Sequence, residues 1–282
     1  FAKSIGNSKE AIKCYDKMMK LSPIEAYKGK AEIYRTLANE NDSNKEKYYD
    51  LAIECYDNVI ELNLSDAEAY KGKAEIYEIL YKFKNNNSYY KLYPIYYQKA
   101  IKCYNKAIEL NPNDIEAYKG KADVYCQLAY NNNNNNNSSE REKYYNLAIE
   151  CYDKMIELNP NYVEAYKGKA DTYYQLANNS YSSDKEKYYN LAIEWYDKAI
   201  ELNHNYTEAY KGKADTYYQL ADNSSDKEKY YKLAIKSYNK AIELKPSSEL
   251  YYGKHSALYR LDWKSEADEC YRKYNELREL GL

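Results

Sequence analysis

Enzymatic chemistry needs nucleophiles, bases or metal ligands gathered at one point, and this chain offers few of them. Its two histidines, His204 and His255, are far apart in sequence. His204 falls at a turn and His255 replaces a small residue in a helical phrase, so each is expected to be structural rather than a general base or a zinc ligand. The sequence contains no His-Glu-x-x-His pair, no Gly-x-Ser-x-Gly elbow and no Gly-rich phosphate loop ending in Gly-Lys. Hence no catalytic residue, metal site or cofactor is expected. Of the six cysteines, Cys14, Cys55, Cys103, Cys151 and Cys270 occupy one column of a repeated helix, where Trp195 and Ser237 stand in other copies. No Cys-x-x-Cys occurs. Disulfides along such a ladder would need closer and better-aimed approaches than packed helices give. Buried reduced thiols are the expectation, with Cys126 as the candidate for an exposed reactive one. Free thiols point to a reducing, cytoplasmic setting, although a chain that begins at Phe1 rather than Met leaves secretion open.

A richer pattern lies in polar residues that recur at helical spacing. Lys71 and Glu75 are followed by Lys119, Asp123 and Gln127, then Lys167, Asp171, Tyr174 and Gln175, then Lys211, Asp215, Tyr218 and Gln219. Steps of three and four residues put each set on one helix face. Parallel columns of ammonium, carboxylate, amide and tyrosine suit an extended ligand, with charge-assisted hydrogen bonds fixing its register. The plainer reading is a solvated face whose ion pairs contribute roughly 0.2–0.5 kcal/mol each.

The composition narrows the classes further. With 42 Lys+Arg against 44 Asp+Glu, the formal charge is -2, which gives no electrostatic reason to expect nucleic acid or an anionic membrane. The mean hydropathy is -0.97, and no run approaches the roughly 18 uncharged apolar residues of a membrane span. No insertion into a membrane is expected. Forty-one tyrosines dominate the aromatic residues. Eight glycines and five prolines are too few for a turn-rich β-sandwich or a dinucleotide fold.

Six of those glycines lie in one recurring phrase, Tyr-Lys-Gly-Lys-Ala at Tyr27, Tyr70, Tyr118, Tyr166 and Tyr210, and Tyr-Tyr-Gly-Lys-His at Tyr251. Alternating with it is a second phrase that begins at Ala11, Ala52, Ala100, Ala148, Ala192 and Ala234, with a degenerate copy at Ala267. From that Ala to the next Gly the distance is 18 to 20 residues; from Gly to the following Ala it ranges from 14 to 28. The first spacing predicts two helices joined by a tight turn, and the second a surface loop that accepts insertions. Pro23, Pro112, Pro160 and Pro246 are read as stops after the second helix, with Leu64 and His204 in the other copies. Ser43/Glu46, Ser139/Glu142, Ser183/Glu186 and Ser225/Glu228 have capping-box spacing, and Pro94 can open the remaining helix. Glycine inside a helix costs about 0.5–1 kcal/mol relative to Ala. Six such positions imply close helix packing or, more sharply, close approach of a bound chain.

From about Ala11 to about Leu277 this alternation resembles the tetratricopeptide repeat family. The resemblance rests on the column Ala31/Ala74/Ala122/Ala170/Ala214, the column Tyr34/Tyr77/Tyr125/Tyr173/Tyr217, the Ala and Tyr of the second phrase, and the turn Pro. It implies an all-α, right-handed α-solenoid of stacked antiparallel helix pairs, with residues 1–22 as a half repeat. Six repeats then follow at about 23–63, 64–111, 112–159, 160–203, 204–245 and 246–282. Asn-rich insertions between the two helices, such as Asn131–Asn137, depart from the family pattern. The implied role is a non-enzymatic scaffold that holds a protein or peptide ligand in a concave groove lined by the first helices. The alternative is a structural subunit that assembles head to tail, because neither end carries a polar capping helix and the stretch Tyr89, Tyr90, Tyr93, Tyr96 and Tyr97 forms a tyrosine-rich edge. On either reading the sequence is expected to be an excerpt of a longer array or to have its ends covered.

Overall fold

A computed structural model of the chain describes residues 2–40, 42–85, 93–131, 138–179 and 184–281. The described residues are α-helical apart from turns and one 3-10 turn at Asp42–Asn44. The helices are α1 (Ala2–Met18), α2 (Pro23–Glu40), α3 (Lys45–Leu62), α4 (Ala67–Asn85), α5 (Tyr93–Leu110), α6 (Ile115–Asn131) and α7 (Ser138–Leu158), followed by α8 (Val163–Asn179), α9 (Lys185–Leu202), α10 (Thr207–Asp222), α11 (Lys227–Leu244), α12 (Ser248–Arg260) and α13 (Lys264–Glu279). They form two compact units, Phe1–Leu128 and Ala129–Leu282. In the first, α2 packs on α3 and α4 on α5; in the second, α8 packs on α9, α10 on α11 and α12 on α13. Each unit is thus a stack of helix pairs.

Alanine lets the helices approach closely. Ala31, Ala74, Ala122, Ala170 and Ala214 on the first helices, and Ala52, Ala100, Ala148, Ala192 and Ala234 on the second, are fully buried. Tyrosine fills the space between them in three registers. Tyr34, Tyr77, Tyr173 and Tyr217 face Tyr48, Tyr96, Tyr188 and Tyr230 with ring centroids 6.2–6.4 Å apart. After Tyr48 and Tyr188 the next residue is buried and turns its hydroxyl to the end of the preceding helix: Tyr49 donates to Asn39 Oδ1 at 2.6 Å and Tyr189 to Asn178 Oδ1 at 2.7 Å, whereas Tyr97 stacks on Tyr81 with ring centroids 3.5 Å apart. The third register, in the middle of the second helix, lies over the glycines and is taken up below. A core built from tyrosine packs its rings inside while hydroxyls such as those of Tyr49 and Tyr189 find polar partners, which reconciles the low mean hydropathy with a packed interior.

The fixed turn has a local cause. Asn63, Asn111, Asn159 and Asn203 follow the second helices, and their Oδ1 atoms accept the N–H two residues on at 3.0–3.3 Å. Backbone N–H groups of the same asparagines close the last helical turn. Pro112 and Pro160 follow directly, where the chain must not continue as helix. Pro23 differs from that expectation: it is the first residue of α2, a position that needs no N–H. The capping boxes also differ. The N-cap residues are Asn44, Asp184 and Asp226, none with a side-chain cap, and Ser139 lies inside α7; helices anchored by buried tyrosines do not depend on a serine cap. Ser183, Asn132–Asn137, Asn86, Asn87, Tyr89 and Tyr90 lie outside the described residues, so the Asn-rich tract and the tyrosine-rich edge are described only in part. Pro94 does fall in the first turn of α5.

Candidate functional site

The polar columns fall on the first helices, divided between the units. The first unit holds Lys71 and Glu75 on α4 and Lys119, Asp123 and Gln127 on α6; the second holds Lys167, Asp171, Tyr174 and Gln175 on α8 and Lys211, Asp215, Tyr218 and Gln219 on α10. All are half-buried.

In the second unit the acids are held from below by tyrosine. Tyr196 donates to Asp171 Oδ1 and Tyr238 to Asp215 Oδ1, both at 2.5 Å. In the first unit Tyr56 donates to Glu32 at 2.7 Å and Tyr104 to Glu78 at 3.4 Å. The same rings lie against the glycines of the following helix. A Cβ on Gly72, Gly120 or Gly212 would come within 2.2–2.5 Å of the ring or hydroxyl of Tyr56, Tyr104 or Tyr196. This corrects the sharper reading of those glycines, because the space a bound chain would need is filled by tyrosine. One side chain therefore fixes the spacing of two successive first helices and orients the acid between them.

The lysines switch partners with the residue at the turn ahead. Lys28 donates to Asp66 and Lys71 to Asp114, each at 2.8 Å, and those aspartates also accept the N–H of Ala69 and Ala117 at the start of their own helices. In the second unit Tyr206 and Ser247 stand at that turn position, and the lysines fold back: Lys167 onto Asp171 at 2.6 Å, Lys211 onto Asp215 and Glu249 at 3.0 Å. Lys119 lies 3.9 Å from Glu116. Burial lowers the proton affinity of Lys71, but Asp114 outweighs it and the pKa stands above the ordinary lysine value. Burial raises Glu75 and Asp215 despite their partners Arg35 and Lys211. Asp123 is pushed up to about 6 by burial and then by the charge of Glu78.

A second lysine row on the opposite side of the first helices was not singled out in the sequence. Lys30, Lys73, Lys169 and Lys213 pair with Asp16, Asp57, Asp153 and Asp197 of the preceding second helix. Its signal was the recurrence of the second Lys in Tyr-Lys-Gly-Lys with an Asp after the central Tyr. Lys169 is buried and lies 3.7 Å from the Trp195 ring centroid, so Trp195 does in its copy what cysteine does elsewhere, with a cation added.

The remaining candidates are placed plainly. His204 is exposed at a turn, and His255 Nδ1 lies 2.9 Å from the Ala267 carbonyl oxygen. All six cysteines are free; Cys55, Cys151 and Cys270 are buried and Cys103 half-buried. The exposed thiol is Cys14 rather than Cys126, which is half-buried on the polar face of α6. Among the described residues no three His, Cys, Asp or Glu side chains are grouped to hold a metal, and no helix is long and apolar enough to cross a membrane.

Helix pairs joined by a constant Asn-stopped turn, with one polar face repeated from pair to pair, define a helix-pair repeat protein. The chain carries tetratricopeptide repeats: family models match residues 96–128 as a TPR repeat and residues 170–206 and 214–248 as tetratricopeptide repeats. Its fold is similar to that of the C-terminal part of a TPR repeat-containing protein from Cytophaga hutchinsonii, at 20% identity over 96% of this chain and 90% of that one, with a TM-score of 0.61. It is also similar to YrrB, a TPR protein with an unusual peptide-binding site (19% identity, 80% and 94% of the two chains, TM-score 0.51), and to MamA (22%, 66% and 90%, TM-score 0.51). At such identities the likeness is one of fold. No curated protein matches the sequence.

Proposed function

We propose that the chain is a non-enzymatic interaction scaffold that binds a peptide or an extended partner segment along the polar face of its first helices. The observation that carries this reading is the preorganised pair of rows in the second unit. Lys167/Asp171 and Lys211/Asp215 repeat the same ion pair, each acid oriented by a buried tyrosine hydroxyl, and Tyr174 and Tyr218 lie alongside on the same helices. Donors and acceptors held in place before binding lose little entropy on contact. YrrB, a relative in fold, is described by its peptide-binding site, which supports the same use here. The free thiols support a reducing compartment, the cytoplasm.

The test is affinity for peptides selected from a random library on the wild-type protein. Changing Lys119, Lys167 and Lys211 together to Glu is expected to weaken the selected peptides more than tenfold. Unchanged affinity moves the site off this face.

Head-to-tail association is a second reading with its own observation. The glycine-facing tyrosine is 1–6% exposed at Tyr56, Tyr104, Tyr152, Tyr196 and Tyr238, but its counterpart Tyr271 on α13 is 45% exposed beside the exposed Tyr252 and Tyr259. That face is an exposed aromatic surface. Light scattering over a concentration series tests it, and a concentration-independent monomer removes it.

A further inference from the structure

A cleft of about 610 Å³ lies in the first unit between α3 and α5, with α4 as its floor, on the side away from the polar columns. Lys73, Lys99, Lys102 and Lys106 line it against two carboxylates, Asp57 and Glu109. Both carboxylates are already engaged, Asp57 by Lys73 and Glu109 by Lys106 at 2.6 Å. Lys99 and Lys102 are exposed, and no carboxylate among the described residues pairs with either. Lys99 stands 5.3 Å from the ring centroid of Tyr77, which forms a wall of the cleft.

The repeats supply an internal comparison. At the position of Lys99, α3, α7, α9 and α11 carry Leu51, Leu147, Leu191 and Leu233, and α1 and α13 carry Glu10 and Glu266. Lys102 is matched by Glu54, Glu150, Glu194 and Glu269, with Lys13 and Lys236 the exceptions. Asn105 replaces the aspartate that neutralises the lysine of the following helix elsewhere, as Asp16, Asp57, Asp153 and Asp197 do; Asn239 shares the change, and α13 has Arg272 there. Three changes three residues apart lie on one face of α5, and each makes that face more positive. The fold does not require them, because the leucine and acid versions pack the same helix in other copies. A lysine at a position filled by leucine in four other copies forfeits apolar contact, and here it happens together with the loss of two acids.

We infer that this cleft is a second binding site, for an acidic polypeptide segment that carries an aromatic side chain. From Lys99 to Lys106 the helix rises about 10 Å, the reach of about three residues of extended chain. Carboxylates on such a segment face Lys99, Lys102 and Lys106, and an aromatic ring enters against Tyr77. The site is independent of the polar columns and survives if the first-helix face binds nothing.

The probe is a fluorescein-labelled octapeptide of glutamates with one central phenylalanine, followed by anisotropy at low ionic strength. Wild type is expected to bind it, and raising the salt to weaken binding because exposed charges are screened. Lys99→Leu with Lys102→Glu, which copies the other repeats, should weaken binding at least tenfold with the far-ultraviolet circular dichroism and melting midpoint preserved. The converse change on α9, Leu191→Lys with Glu194→Lys and Asp197→Asn, should add a second equivalent of bound peptide. Absence of binding to wild type, affinity within twofold in the Lys99/Lys102 variant, or tighter binding of an oligothymidylate than of the peptide overturns the inference.

Discussion

At the scale of single residues, the contact of tyrosine with glycine governs the structure. Gly212 has no side chain because a Cβ would lie 2.4 Å from the Tyr196 Cζ. The ring is 2% exposed, and its hydroxyl is bound to Asp171, so it has nowhere to retreat without giving up that bond. Gly212→Ala gains about 1 kcal/mol of helix propensity and loses about 1–3 kcal/mol to overpacking. The expected net result is a lower urea midpoint, whereas an exposed helix glycine would show a higher one. Asp123 gives a second test. Its folded pKa of about 6 exceeds the unfolded value near 3.9, so the native state binds the proton more tightly. The stabilisation from its neutral form is complete below about pH 4 and is lost as pH rises through about 6. Asp123→Asn should therefore raise stability at pH 7 by on the order of 1 kcal/mol and flatten the difference between pH 4.5 and 7, as read from paired urea titrations. Thiol chemistry follows burial: Cys14 should be alkylated rapidly in the native protein, while Cys55, whose pKa burial raises to about 11, should remain unmodified until the chain unfolds.

At the scale of helices, the turn aspartates act twice, capping their own helix and holding the lysine of the helix before. Asp66→Ala removes the cap to Ala69 and the ion pair to Lys28 together, and a loss of about 1–2 kcal/mol is expected, measured by thermal unfolding; a change below a few tenths would show that the turn does not rely on it. Much of this element structure was legible in the sequence. The Gly and Ala columns located the helices, the constant spacing located the tight turn, and the alternation of Ala and Tyr located the buried face. The reason for the glycines was not legible, because Tyr196 and Gly212 lie on different helices and only packing brings them together. The serines before the helices carried the right spacing and the wrong meaning, since burial of the Tyr-Tyr pair, and not a cap, sets where those helices begin. The polar columns were legible as a face. Their half-burial and the partner switch of the lysines were not, because both depend on the neighbouring pair.

At the scale of the molecule, each unit is a stack in which every helix pair buries its neighbour's face, as repeat stability requires. One side of the first helices carries lysine and acid columns, whose aspartates Asp171 and Asp215 are held by tyrosine, and the other carries lysines locked to the second helices. The first of these sides is the proposed binding surface. Amide hydrogen exchange in the presence and absence of a library-selected peptide tests it most directly. Added protection is predicted in the second unit along α8 and α10, around Lys167–Gln175 and Lys211–Gln219. Protection confined to α9 and α11, with α8 and α10 unchanged, would contradict it.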